Sequence, residues 1–362
     1  MSITDLIPPE PPLNRVTLAI GPGSGSDPTV PLTAFSAGSV KLTLNDGPQV
    51  TFSMPGNTAE AGEVSGYETD VWVYKLGDLW VRGRMLAIPQ TWDEDGKDAL
   101  SITAVGYKRL MAYRFLHDDL GFTNTDQGAI VWAFIDHTQS ELNGDLGITQ
   151  GSTTTGTLRD RTDLYKIGDN IGKRLDELAA VINGVWWDIG PDLVLTAKDQ
   201  DDFTHHTTPI VHGMNARKIA RKPGPQFGNV GGASGSKEQT TVEWREAASL
   251  ATDPRGRWEV FDSSHGSVTE QATVAEYAEG ILADREHPPA VWTIELEPVQ
   301  YFGGDSDYEP GDFCQVVVPR SLADPLADPR VDVEVQLTEI SVAFDDSGGV
   351  TVNATGVEVE GL

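Results

Sequence analysis

The chain of 362 residues carries 55 acidic against 26 basic side chains, a net charge of −29. That balance is spread along the chain and excludes the clustered Lys and Arg surface that specific nucleic-acid binding requires. A single cysteine, Cys314, excludes internal disulfides and Cys-based zinc sites and reads as a small buried hydrophobe. No apolar run approaches a membrane span, so no membrane anchor is expected.

Two readings of the acidity stand side by side. One is solubility. The other is a surface that must repel DNA, such as the wall of a channel through which DNA slides.

In chain order, residues 1–34 read as an extended N-terminal arm. Pro8, Pro9, Pro11 and Pro12 resist both helix and sheet pairing, and no signal peptide is expected here. The run Gly21-Pro22-Gly23-Ser24-Gly25-Ser26 is Gly-rich but lacks the Lys-Ser/Thr of a phosphate-binding loop. Residues 39–44 and 49–55 predict a hairpin around Asn45-Asp46-Gly47.

The stretch 68–110 organises the rest. It reads as a strand over 71–75, a turn at Leu76-Gly77-Asp78, a strand over 79–88 with Gly83 at a bend, and an acidic turn at Asp93-Glu94-Asp95-Gly96. A strand over 99–107 follows, with Leu100, Ile102 and Ala104 on one face. Residues 35–111 are assigned to a first β-rich domain.

Residues 112–200 predict an α+β insert. Asp126 caps a helix to about 140 with Ile130, Phe134 and His137 on one stripe. Asp169 caps a second helix with Ile171, Leu175, Leu178 and Ile182 inward, closed by Asn183-Gly184. A hairpin over 185–189 and 193–197 ends the insert. Residues 201–290 predict a β-rich region with a long Gly/Pro/Ser loop over 223–237, strands over 240–247 and 257–262, and a helix over 270–286. Residues 291–362 supply strands over 291–296, 313–318, 331–342 and 350–357, with a surface loop over 321–330.

The last strand repeats the organising one. Leu100, Ile102, Ala104 and Gly106 match Val350, Val352, Ala354 and Gly356 at one constant separation, and each set follows an acidic turn. Long-period self-similarity of this kind points to a structural duplication.

Chemistry is sparse. The only histidine cluster is His205-His206 with His212 and Asp201-Asp202, and neighbouring strand positions point to opposite faces, which chelates poorly. Ser263-Ser264-His265 has no elbow motif and no acid partner. Paired acids such as Asp118-Asp119 and Asp345-Asp346 are ordinary in so acidic a chain, and no EF-hand spacing is present. Eight of the tryptophans, Trp80 and Trp186 among them, read first as core and second as a sugar-binding platform. No catalytic, cofactor or metal residues are assigned, and the chain is not expected to be an enzyme.

From about residue 35 onwards the order of features resembles the hub or minor tail proteins of long-tailed phages, especially those infecting actinobacteria. The resemblance is carried by Val71-Trp72-Val73-Tyr74 through Gly83-Arg84, Ala104-Val105-Gly106-Tyr107 and Gly144-Asp145-Leu146-Gly147-Ile148. It continues in Arg159-Asp160-Arg161-Thr162, Asn183-Gly184, Trp186-Trp187-Asp188-Ile189 and Tyr308-Glu309-Pro310-Gly311-Asp312.

It implies an α+β, mostly β fold: two tail-tube-like β-barrels, one begun by 35–111 and one completed by 291–362, with smaller α+β domains between and beside them. It also implies a homotrimeric ring at the tail tip that joins a six-fold tail tube to a three-fold tip and leaves a lumen for DNA. The implied partners are the distal tail protein, the tape measure and the receptor-binding or central fibre proteins. The implied location is the virion, after synthesis in the host cytoplasm. A six-fold distal tail protein and a wall-glycan-binding tail-tip protein remain as alternatives.

Overall fold

The computed structural model describes residues 16–23, 27–92, 98–181, 183–199, 202–224, 227–235, 241–248, 250–265, 271–286, 288–298, 301, 308–320, 329–346 and 349–359. The chain divides into two compact units. The first comprises Met1–Lys218, Ile294–Asp332 and Gln336–Thr355, and the second Ile219–Thr293, Val333–Val335 and Gly356–Leu362.

The first unit opens with β1 (Val16–Pro22), β2 (Val30–Leu32), β3 (Gly38–Thr43), β4 (Asp46–Pro55), β5 (Thr69–Lys75), β6 (Asp78–Met85), β7 (Gln90–Trp92) and β8 (Asp98–Val105). Alternation decides these strands. Val50, Phe52 and Met54 of β4 lie opposite Ala104, Ile102 and Leu100 of β8, and all six are buried. Asn45 supplies the left-handed residue of the β3–β4 turn at φ 65°. Leu76 and Gly77, at φ 55° and 95°, form the β5–β6 turn. The predicted strand over 79–88 ends earlier, at Met85, and residues 16–22, expected in the arm, pair along their whole length with β5. The acidic turn at 93–96, the arm at 1–15 and most of the loop at 321–330 lie outside the described residues.

The stretch 68–110 ends in α1 (Tyr107–Leu110), and the insert contains β9 (Leu120–Asp126), α2 (Gln127–Ser140), β10 (Thr149–Gln150), β11 (Leu158–Tyr165), α3 (Ile171–Ala179), β12 (Val185–Ile189) and β13 (Val194–Asp199). Ile130 and Phe134 of α2 share one core with Leu175 and Leu178 of α3 and with Trp187 and Leu195 of the β12–β13 hairpin. The Asp126 carboxylate accepts from the Gly128 amide at 2.8 Å, which caps α2 as its sequence predicts. The α3 cap is Asn170, not Asp169: its side chain accepts from the Lys173 amide at 2.9 Å. Asp169 is instead held by Arg174 at 2.9 Å. The chain beyond α3 is turned by Asn183 at φ 53°, not by Gly184.

The remainder supplies β14 (His205–Val211), β15 (Ala216–Lys222), β16 (Val230–Gly235), β17 (Thr241–Glu246), β18 (Glu259–His265), α4 (Gln271–Glu286), β19 (Val291–Leu296), β20 (Phe313–Pro319), β21 (Pro329–Phe344) and β22 (Val350–Glu358). Within the first unit the sheet runs β21-β3-β4-β8-β6-β5-β1-β2, with β20 on β21, β14 on β20 and β7 on β8.

The fold is mostly β, as expected, but among the described residues no sheet closes into a barrel. Val40 of β3 pairs with Val50 of β4 on one side and with Val342 of β21 on the other, so early and late strands join one sheet.

The second unit holds a three-stranded sheet, β17-β16-β18, with α4 on one face. The predicted loop over 223–237 is corrected here: Val230–Gly235 is the buried central strand. A Cβ on Gly231 would lie 2.5 Å from the Ala278 carbonyl oxygen, so the absence of a side chain lets α4 rest on the strand itself. On the opposite face Trp244 and Phe261 pack over Gly232, their ring centroids 5.2 Å apart.

Candidate functional site

Two clusters of buried charge lie where the stretch 68–110 meets the insert. The first is built by antiparallel β5 and β6, whose register sets Asp70 opposite Arg84 and Trp72 opposite Arg82. Asp70 is fully buried. Its carboxylate accepts from Arg82 Nε at 2.8 Å, from Arg84 Nε at 2.5 Å and from the Tyr107 hydroxyl at 2.6 Å. The Arg82 guanidinium also lies 4.6 Å above the Trp72 ring, and Arg84 donates to the Gly23 carbonyl at 2.9 Å.

Burial pushes the Tyr107 hydroxyl pKa up to about 12, reinforced by the Asp70 charge, so it stays a donor. Burial also works against the Arg84 charge, but Asp70 outweighs it and holds the guanidinium above its ordinary pKa. Both Asp70 oxygens are engaged. The cluster is a clamp that ties residues 23, 70, 82, 84 and 107, not a free acid or base.

The second cluster follows directly in sequence. Lys108 on α1 is buried, donates to the Trp187 carbonyl at 2.5 Å and sits 4.5 Å from the Trp187 ring centroid. Burial lowers its pKa, opposed by Asp188, Asp176 and Asp46. On β12 the alternation that buries Val185, Trp187 and Ile189 turns Asp188 the other way, to the side of Trp186. Burial pushes Asp188 up to about 6 against the pull of Lys108, and its Oδ1 is buried with no hydrogen-bond partner. Lys108 and Asp188 line a cleft of about 320 Å³ together with Trp80, Trp186, Asp192 and Glu309.

Neither cluster stands out among the acids of the sequence. The available signal was two arginines two apart in an apolar strand, and a carboxylate alternating with buried aromatics in the Trp186-Trp187-Asp188-Ile189 run.

The histidines separate. His205 stacks on Phe313 at 4.4 Å, while His206 Nε2 lies 2.8 Å from Asp312 Oδ2. Among the described residues no three His, Cys, Asp or Glu side chains are grouped to hold a metal ion. Asp201, His287 and the side chains of Ile182, Ser264 and His265 lie outside the described residues. Of the repeat residues, Leu100, Ile102 and Ala104 are buried on β8, and Val352, Ala354 and Gly356 are buried on β22, with Val350 half-buried. Gly106 follows β8 as the residue before α1, whereas Gly356 lies inside β22, so the two glycines do not end their strands alike.

No known family profile and no curated protein matches the sequence. Solved structures do match. The tail protein from Neisseria meningitidis MC58 is similar over 96% of this chain and 97% of its own, at 11% identity and a TM-score of 0.62. The 43 kDa tail protein of prophage MuSo2 from Shewanella oneidensis is similar over 94% and 98%, at 12% identity and a TM-score of 0.60. Prophage tail protein gp18 from Listeria monocytogenes EGD-e is similar over 94% of each chain, at 12% identity and a TM-score of 0.55. The chain therefore has, over nearly its whole length, the fold of phage tail proteins.

Proposed function

We propose that this chain is a structural protein of a phage tail, the baseplate hub of a long-tailed phage. In this reading three copies form a ring at the tail tip that joins the six-fold tail tube to the three-fold tip and leaves a lumen for DNA. Its neighbours in the virion are the distal tail protein, the tape measure and the receptor-binding or central fibre proteins. The observation that carries the reading is the fold shared with the Neisseria tail protein across both chains. The net charge of −29 supports a lumen wall, because phosphate is repelled from a surface of carboxylates. The matched patterns of β8 and β22 support an internal duplication. The clamp at Asp70 fits a scaffold role, since it holds strand geometry and leaves no free nucleophile or base.

Negative-stain electron microscopy of the purified chain tests the reading. A three-fold ring with a central hole is the expected result. A six-fold ring would replace the hub by a distal tail protein, and persistent monomers at high concentration would remove the self-assembling ring.

A further inference from the structure

The geometry points to a saccharide site in the cleft bounded by Trp80, Trp186, Lys108, Asp188, Asp192 and Glu309, sized for one or two pyranose rings of a neutral or amino sugar. This goes beyond a structural role and stands whether or not the chain forms a ring.

Size comes first. About 320 Å³ lies at the small end of the roughly 300–1,000 Å³ typical of ligand clefts. Hydrogen bonding comes next. The Oδ1 of Asp188 is buried and accepts nothing, which is costly unless a donor arrives from the cleft. The Lys108 ammonium has three donors, and the Trp187 carbonyl takes one. A hydroxyl donates and accepts at once. It can therefore give its hydrogen to Asp188 and receive one from Lys108, which a carboxylate or a metal ion cannot do.

Charge narrows the class further. Asp46, Asp188, Asp192 and Glu309 line the cleft against Lys108 and Arg82; Arg82 is already bound to Asp70, and Asp46 to Arg109 at 2.7 Å. An anionic ligand would meet mostly carboxylate, whereas a neutral sugar or an ammonium-bearing one would not. The walls supply the apolar half of the recognition. Trp80 and Trp186 are half-buried on the cleft, Trp80 set edge-on to Tyr301 and Trp186 edge-on to Phe203. Lys75 lies over the Trp80 ring and Lys198 over the Trp186 ring, so a pyranose would pack its C–H face on the opposite face of each indole.

The test is titration calorimetry of the full chain with two probes, maltotriose and N,N′,N″-triacetylchitotriose. The expected result is saturable binding of at least one of them, weakened at least tenfold by Asp188→Asn. Thr196 is an exposed cleft position on β13, where a tryptophan fits a strand and fills the space, so Thr196→Trp should abolish the binding. If Asp188→Asn does not fold, Thr196→Trp decides. Absence of saturable heat with both probes at millimolar concentration overturns the site, because water alone then satisfies Asp188. Unchanged affinity in Thr196→Trp overturns it as well, by placing the sugar elsewhere.

Discussion

The Tyr107 hydroxyl reaches back across 37 positions to donate to Asp70 at 2.6 Å, and so fixes the start of α1 to the strands that precede it. Asp70 meets two arginines as well as this hydroxyl. Removing one partner from a buried ion cluster costs more than the cluster contributes as a whole, because the remaining charge stays buried and unpaired.

Asp70→Ala is therefore expected to lower the stability of the first unit by about 3–5 kcal/mol. Tyr107→Phe removes a single hydrogen bond to a buried charge and is expected to cost about 1–3 kcal/mol. Urea unfolding followed by tryptophan fluorescence measures both. An Asp70→Ala protein as stable as the wild type would show the clamp to be energetically idle.

The packing of α4 on β16 gives an opposed pair of glycine variants. A side chain at Gly231 meets helix backbone, at 2.5 Å from the Ala278 oxygen and 2.8 Å from the Leu282 nitrogen. Gly231→Val should displace α4 and cost about 1–3 kcal/mol. Gly280, in the middle of α4, faces open space, so Gly280→Ala should stabilise by about 0.5–1 kcal/mol. Hydrogen exchange over 271–286 reads both, accelerated in the first and slowed in the second.

Asp188 sets a pH dependence. Its folded-state pKa of about 6 lies above the ordinary 3.8, so between these values the folded chain binds more protons there than the unfolded one. The stability contributed by Asp188 is then greatest at low pH and is lost as pH rises toward 6. Carboxylates with lowered pKa, Asp119 and Glu297 among them, act in the opposite direction. The difference between wild type and Asp188→Asn isolates the effect: the Asn variant should gain relative stability as pH rises from 4 to 6. A difference independent of pH across thermal melts would refute the assignment.

The proposed duplication has its own test. At Gly106 a Cβ would sit 2.4 Å from Pro48 Cδ, so Gly106→Val should disrupt the junction of β8 with α1. If β8 and β22 are equivalent, Ala104→Asp and Ala354→Asp, both at fully buried positions inside their strands, should impair assembly alike. Full tolerance at one position and loss of ring formation at the other would argue against the repeat.

Where side chains alternate, the architecture was readable before any coordinates. The β3–β4 hairpin, the Leu76-Gly77 turn, the Asp126 cap and the strand over 350–358 follow from period-two burial and turn chemistry. β16 was not readable, because its Val-Gly-Gly-Ala-Ser-Gly run carries no pattern; its burial is imposed by α4 and by Trp244 and Phe261. The α3 cap was misplaced by one residue because Asp169 and Asn170 are equally good caps on paper, and Arg174 draws Asp169 away. The charge clusters leave no local mark in the sequence for another reason. Their members lie as much as 84 positions apart, from Gly23 to Tyr107; the register of β5 and β6 gathers the first cluster, and the packing of α1 on β12 the second. Likewise, the joining of early and late strands in one sheet comes from a long-range pairing, β3 with β21, which leaves no local trace in the sequence.

That pairing also sets a timetable for biosynthesis. Residue 43 leaves the ribosome long before its partner, residue 339. At about 5–20 residues per second the interval is roughly 15–60 s. For that time one edge of β3 presents unpaired amide and carbonyl groups to every other nascent copy in the cell. Lys41 sits on this edge and is later neutralised by Glu339 at 2.8 Å. Until then it is an uncompensated charge that disfavours the addition of another strand, a guard against premature strand exchange built into the edge that the finished protein must close.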